Sequence, residues 1–198
     1  MLDLSRVTLF AIDNTNRIDG TIKSLHTSMG VAKFGAVKLV TSKEYISKYS
    51  SELLNDGIVC EEMIFPITNI DEYNNYILYE LYKHIDTDFV LITQDHAFII
   101  NPEAWSNEFL DYDYIGAPWP WREISFVTPF GEHIRSGNGG FSLRSTKLTR
   151  HIASNPTTYK LTAPEDRALA KYQPQFEKLG FVFPDAEFAS RFSFESII

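Results

Sequence analysis

Two stretches of this sequence, Val7 to Ile12 and Phe89 to Ile92, are unbroken runs of β-branched, aliphatic and aromatic residues that stop abruptly at polar ones. A strand with one face in water alternates apolar and polar side chains, so a run without alternation marks a strand buried on both faces. The first run ends at Asp13-Asn14-Thr15-Asn16 and the second at Thr93-Gln94-Asp95-His96. A third, Ala36 to Val40, ends at Thr41-Ser42, and Met63 to Ile67 reads as a fourth strand whose Pro66 places it at an edge or a strand end. Between them, Asn69 with Glu72 forms a capping pair, and Tyr73, Ile77, Leu81 and Ile85 recur every four residues. That spacing predicts a helix feeding the strand at Phe89. Strands alternating with helical segments imply a parallel sheet covered on both faces, with ligands at the carboxyl ends of its strands.

The second half is less regular. Tyr114-Ile115-Gly116-Ala117-Pro118-Trp119-Pro120-Trp121 leads into a stretch rich in Gly, Pro and Ser that reads as loops over a site, with residues 121–136 expected to act as a lid. Phe141 to Arg144 is strand-like, and Lys147 to Ala153 and Glu165 to Tyr172 read as short helices. No repeat, low-complexity tract or linker composition divides the chain. Its 198 residues, 44% hydrophobic, suffice for one sizeable core.

A net charge of -8 argues against nucleic acid or an anionic membrane as partner, since both demand a basic face. The single cysteine, Cys60, rules out an intrachain disulfide and fits a reducing compartment. With no targeting signal at the start and no apolar run near the length of a membrane span, a cytoplasmic protein without a transmembrane segment is expected. His26, His84, His96, His133 and His151 lack close metal-ligand spacing, which argues against zinc.

Four groups of residues could carry chemistry. Asp95 and His96 put a carboxylate and an imidazole at the end of a buried strand, where they must be solvated, paired or bound. They can share a divalent cation with diphosphate oxygens and waters, or simply form a strand-end turn. Ser136-Gly137-Asn138-Gly139-Gly140-Phe141 brings three glycines before a strand, which lets backbone amides approach a ligand and equally suits a turn. Glu165-Asp166 opens a helix, as acidic residues do to meet the helix dipole, and either carboxylate could serve as a general base. Asp13-Asn14-Thr15 resembles the nucleophile loop of haloacid-dehalogenase-like phosphatases, but Thr15 stands where those enzymes need a second aspartate. Asp13, Asn14 and Arg17 therefore read as a nucleotide-contacting loop or as plain turn chemistry. Trp119 and Trp121, set among prolines, could stack on a sugar or pack in the core.

In order, the Thr93 to Ile99 segment, the Gly137 to Arg144 segment and the Glu165-Asp166 pair resemble the GT-A glycosyltransferases, in particular the Fringe and core-1 galactosyltransferase-like branch. From Val7-Thr8-Leu9 through Asn101-Pro102-Glu103-Ala104-Trp105 and Gly116-Ala117-Pro118-Trp119 to Ala189-Ser190-Arg191-Phe192, the chain is also similar to uncharacterised glycosyltransferase-like proteins of bacteria and large viruses. The resemblance implies an α/β fold of GT-A, Rossmann-like type, a mixed central sheet flanked by helices, with residues 1–198 forming one domain. It implies transfer of a hexose-type sugar from a nucleotide diphosphate sugar, UDP-linked in such families, to a glycan hydroxyl with inversion. Asp95 and His96 would hold Mn²⁺ or Mg²⁺; Asp13, Asn14, Arg17 and Thr41 the nucleoside; Gly137, Asn138, Gly139, Gly140, Trp119 and Trp121 the sugars. Asp166 would be the base, with Glu165 as fallback. His96 stands where members of that branch carry an aspartate, which favours Mn²⁺ over Mg²⁺, and no late histidine completes the ligand set. Two other readings accompany this one: a non-catalytic carbohydrate-binding or assembly module on the same fold, and a sugar nucleotidyltransferase, which the lack of a basic glycine-rich loop after the first strand disfavours.

Overall fold

The computed structural model describes residues 1–119, 126–127, 133–134, 137–160 and 164–194; for 126–127 and 133–134 only the backbone is described. In chain order the elements are β1 (Leu2–Ile12), α1 (Ile18–Val31), β2 (Ala32–Thr41), α2 (Lys43–Asn55), β3 (Val59–Glu62), α3 (Ile70–Tyr79), β4 (Phe89–Ile92), β5 (Tyr114–Gly116), β6 (Phe126–Val127), β7 (His133–Ile134), β8 (Ser142–Ser145), α4 (Thr146–Ala153), α5 (Glu165–Lys178) and α6 (Ala186–Ser190).

Among the described residues a six-stranded sheet has the order β3-β2-β1-β4-β8-β5, and β6 with β7 forms a separate antiparallel ribbon. The unbroken apolar runs sit at its centre: Leu9, Phe10 and Ala11 of β1 and Val90 and Leu91 of β4 are fully buried. One face of the sheet packs Leu9, Leu39 and Leu91 against Leu25 of α1 and Leu53 of α2. The other packs Phe10, Val40, Val90 and Ile92 against Tyr76, Ile77, Leu81 and Ile85. β1 to β4 are mutually parallel, whereas β8 runs antiparallel to both β4 and β5, so the sheet is mixed.

Three local expectations need correction. The strand expected at Met63 to Ile67 lies earlier, at Val59–Glu62; Met63 donates to the Thr41 carbonyl at 3.0 Å as the ladder ends, and the residues after it form a loop. The helix capped by Asn69 stops at Tyr79 and continues as a 3₁₀ turn, Leu81–His84, so all four periodic residues face the core through two short helices rather than one. Phe141 precedes its strand, which opens at Ser142.

A chain of polar groups runs between β2, β3 and α3. Lys38, 6% exposed, reaches Glu61 at 2.7 Å and Asp86 at 2.8 Å. Glu61 Oε2 meets His84 Nδ1 at 2.5 Å, His84 Nε2 meets the Tyr76 hydroxyl at 2.9 Å, and that hydroxyl accepts from Ile64 N at 3.2 Å. Burial opposes the Lys38 charge, yet the bonds to Asp86 and Glu61 outweigh it and raise the ammonium pKa. No helix among the described residues is long and apolar enough to cross a membrane.

Candidate active site

β1, β3 and β4 end on the same side of the sheet because they run parallel, and their polar extensions surround a cavity of about 300 Å³. Its walls are Ile12 to Thr15 and Arg17 after β1, Met63 and Ile67 to Ile70 before α3, Tyr73 on α3, and Gln94, Asp95 and His96 after β4. Asp13 is the internal strut of the first wall. Its Oδ1 accepts from Thr15 N at 2.7 Å and its Oδ2 from the Thr21 hydroxyl at 2.6 Å, while its carbonyl accepts from the buried Thr41 hydroxyl at 2.6 Å. Asn14 crosses to the second wall, donating to the Ile67 carbonyl at 2.7 Å. Asp13 and Asn14 thus line the cavity and shape it, and Thr41 stands behind Asp13.

Thr93 N donates to the Phe10 carbonyl at 2.9 Å, extending the β4 ladder, and a turn then closes with Ala97 N on the Gln94 carbonyl and the Thr93 hydroxyl on the Ala97 carbonyl. The turn projects Asp95 and His96 at the cavity rim. His96 Nδ1 contacts Asp95 Oδ1 at 2.7 Å and Arg17 Nη1 contacts Asp95 Oδ2 at 3.3 Å. The His96 side chain is 72% exposed, that of Asp95 only 19%.

The glycine segment is fixed at nearly every polar atom. Gly137 and Asn138 both donate to the Ala117 carbonyl, at 3.3 and 3.1 Å. Tyr114 donates its hydroxyl to the Gly137 carbonyl at 2.5 Å, Ser142 donates to the Gly139 carbonyl at 3.0 Å, and Gly140 N donates to Asn138 Oδ1 at 2.9 Å. Gly137 has a φ of +149°, and a Cβ there would press on the Trp119 ring at 3.0 Å, so this position requires glycine. Gly139 N donates to Asp166 Oδ2 at 3.3 Å, and a Cβ at Gly139 would collide with the Glu165 carboxylate. Gly140 lies against Gln94, whose Oε1 would sit 2.6 Å from a Cβ there.

The two carboxylates opening α5 differ in environment. Glu165 is buried and held by Arg144, with Nη2 donating to Oε1 at 2.9 Å and Nη1 2.9 Å from Oε2; Arg144 Nε also donates to Ser142 Oγ at 3.0 Å. Burial works against the Arg144 charge, but the Glu165 carboxylate outweighs it and holds the guanidinium more firmly protonated than usual. Among the described residues, Asp166 accepts only the backbone amides of Gly139 and Arg167. Burial, then the neighbouring Glu165 charge, pushes its carboxyl up to about 6. A carboxyl of that strength can take a proton near neutral pH.

Asp95 and His96 line the cavity with Gln94; Gln94 packs against Gly140 and the Gly139 amide bonds Asp166, so the glycine segment and Asp166 adjoin that wall through Gln94 without being part of the lining. Trp119 is buried, 3% exposed, against Gly137. Trp121 and most of the expected lid lie outside the described residues. Sequence reasoning gave no role to Tyr73, Gln94 or Arg144. The charge of Arg144 within the strand-like Phe141-Ser142-Leu143-Arg144 segment was the visible signal for a buried partner; Tyr73 read only as one apolar step of a helix.

Among the described residues no three His, Cys, Asp or Glu side chains group to hold a metal. Asp95 and His96 fit a divalent cation as a two-residue site open to solvent, in which diphosphate oxygens and waters supply the remaining positions. Such a cation would displace Arg17 from Asp95.

The mixed sheet with its site at the strand ends is the GT-A architecture of nucleotide-sugar transferases. Solved structures of similar fold are 4-diphosphocytidyl-2C-methyl-D-erythritol synthase from Anaerococcus prevotii (TM-score 0.53, 10% identity, 84% of this chain and 82% of that one) and mannosyltransferase PcManGT from Pyrobaculum calidifontis, solved with GDP-Man and Mn²⁺ (0.55, 11%, 91% and 55%). Galactosyltransferase LgtC, solved with donor and acceptor sugar analogs, is a third (0.55, 16%, 83% and 69%). The chain spans about half the length of the mannosyltransferase. By its sequence over residues 59–198 the chain belongs to the family described as protein of unknown function, DUF5672. No curated protein matches it.

Proposed function

We propose that the chain is a glycosyltransferase that moves a hexose-type sugar from a nucleotide diphosphate sugar to a hydroxyl of a glycan acceptor, with Asp166 as general base. The observation that carries the reading is the hydrogen bond from Gly139 N to Asp166, which sets a carboxyl titrating near 6 beside a glycine segment whose Gly140 packs on Gln94 of the cavity wall. Asp166 takes the acceptor proton as the acceptor oxygen bonds to the anomeric carbon; the bond from that carbon to the diphosphate oxygen breaks, and the nucleoside diphosphate leaves with the electron pair. Attack from the side opposite the leaving group inverts the anomeric centre, in keeping with the likeness of the motifs to the Fringe and core-1 branch. Asp13, Asn14 and Arg17 line the nucleotide end, with Thr41 bracing Asp13. Asp95 and His96 would hold Mn²⁺ or Mg²⁺, which neutralises charge on the diphosphate. Glu165, committed to Arg144, orients α5 and raises the Asp166 pKa by its charge.

UDP is the nucleotide of first choice. Calorimetry with UDP and GDP, with and without Mn²⁺, is expected to show binding; a chain that binds no nucleoside diphosphate under either condition is not a transferase. Incubation with sugar nucleotides is expected to release nucleoside diphosphate. Formation of pyrophosphate from a nucleoside triphosphate would identify a nucleotidyltransferase instead, and glycan binding without any nucleotide a non-catalytic module.

A further inference from the structure

We infer that Gln94 is the side chain that reads the hydroxyl groups of the transferred sugar, and that Tyr73 positions it; the inference rests on the transferase reading above. In that reading the diphosphate ends at Asp95 and His96, and the acceptor hydroxyl meets Asp166. The sugar ring must span the interval. Gln94 immediately precedes Asp95 in the chain, and its carboxamide lies against Gly140, the neighbour of the Gly139 amide that holds Asp166. The interval is therefore floored by Gln94.

The chemistry of the side chain suits a sugar. Gln94 Nε2 donates one hydrogen to the Tyr73 hydroxyl at 3.1 Å. Both residues line the cavity. Burial, then the Glu165 charge, pushes the Tyr73 phenol up to about 12, so the phenol stays protonated. Among the described residues Gln94 Oε1 accepts no hydrogen bond and the second Nε2 hydrogen has no acceptor. The carboxamide thus presents one acceptor and one donor side by side, the complement of two adjacent hydroxyls on a hexose ring. Gly140 keeps this seat open, because a Cβ there would lie 2.6 Å from Oε1 and 3.1 Å from the carboxamide carbon.

Calorimetry on the wild-type chain and on Gln94→Ala, Tyr73→Phe and Gly140→Ala tests this. The ligands are UDP and GDP and their glucose, galactose and mannose conjugates, with thermal melts to establish that each variant folds. Gly140→Ala pushes on the flexible end of one side chain rather than on backbone, so it supplies a folded variant even where Gln94→Ala does not. The wild type is expected to bind one sugar conjugate about tenfold more tightly than the corresponding free diphosphate, the value of one well-made hydrogen bond. Gln94→Ala and Gly140→Ala are expected to lose that increment and the preference among epimers while binding free diphosphate as before, and Tyr73→Phe to lose part of it. Equal weakening for free and sugar-bearing nucleotides, an unchanged increment, or a wild type with no increment each overturns the role of Gln94 and leaves the transferase reading standing. A wild type that binds no nucleoside diphosphate overturns both.

Discussion

Asp166 has a carboxyl that titrates near 6 instead of 3.8 because burial and the Glu165 charge both disfavour its ionised form. The unfolded chain ionises at the ordinary value, so this residue favours the fold below about pH 4, and the contribution is lost as pH rises through about 6. Asp166→Asn removes the charge but keeps a single side-chain oxygen, so one of the Gly139 and Arg167 amides, which bond to Oδ2 and Oδ1, loses its acceptor. Its stability relative to the wild type is expected to rise by about 1–3 kcal/mol between pH 4 and pH 7, whatever the constant cost of that lost bond, read from thermal melts at the two pH values. The same substitution is expected to lower kcat by roughly 10²–10⁴-fold with donor binding retained, and wild-type turnover to rise with pH through about 6, measured as nucleotide released. At this scale the sequence showed which residues carry charge. Asp95, His96 and Asp166 were recognisable because carboxylates and imidazoles at strand and helix ends demand an explanation. Gln94 and Tyr73 were not, since a neutral carboxamide and a phenol gain meaning only from the neighbours that tertiary packing supplies.

Between elements, the join of β8 to α5 is the Arg144–Glu165 pair, whose side chains are 2% and 6% exposed. Removing one partner leaves the other charged and buried, so Arg144→Met is expected to destabilise the chain by about 3–5 kcal/mol in urea unfolding, and the double variant Arg144→Met/Glu165→Gln to recover a large part of that. The approach of β5 to the glycine segment is as tight: a Cβ at Gly116 would collide with the Asn138 carbonyl. Gly116→Ala is therefore expected to lower the melting temperature by several degrees and to weaken turnover more than Gly30→Ala, whose added methyl would meet open space. The elements legible in sequence were those with apolar patterns, β1, β2, β4 and α3, together with β8, α4 and α5 near Phe141 to Arg144, Lys147 to Ala153 and Glu165 to Tyr172. α1 was hidden because its buried face uses Thr21, Ser24 and Ser28 beside Ile18 and Leu25, and α2 because Leu53 is its one buried residue.

At the scale of the molecule, the chain from Asp86 through Lys38, Glu61 and His84 to Tyr76 links the sheet to Ile64, the neighbour of Met63 in the cavity wall. Lys38 has a raised pKa, so its contribution to stability is complete at any pH below the ordinary 10.5 and is lost only as pH rises through its folded value. Lys38→Met leaves Glu61 with His84 as its partner and Asp86, 60% exposed, to solvent, and is expected to cost about 1–3 kcal/mol in chemical unfolding at pH 7. The sheet order was only half legible. Alternating strands and helices argue for parallel β1 to β4, but nothing local in Ser142 to Ser145 reveals that β8 inserts antiparallel between β4 and β5, because direction is a property of the connection rather than of the strand.

The Ala117 carbonyl, bonded by the amides of both Gly137 and Asn138, ties the chain just after β5 to the start of the glycine segment. An excursion whose two ends are already tied together can change in length or composition at little thermodynamic penalty, about 0.6 kcal/mol for each doubling of a flexible loop. Members of the family could therefore differ in the length of chain joining Trp119 to Gly137, like a cassette, while the sheet stays as it is.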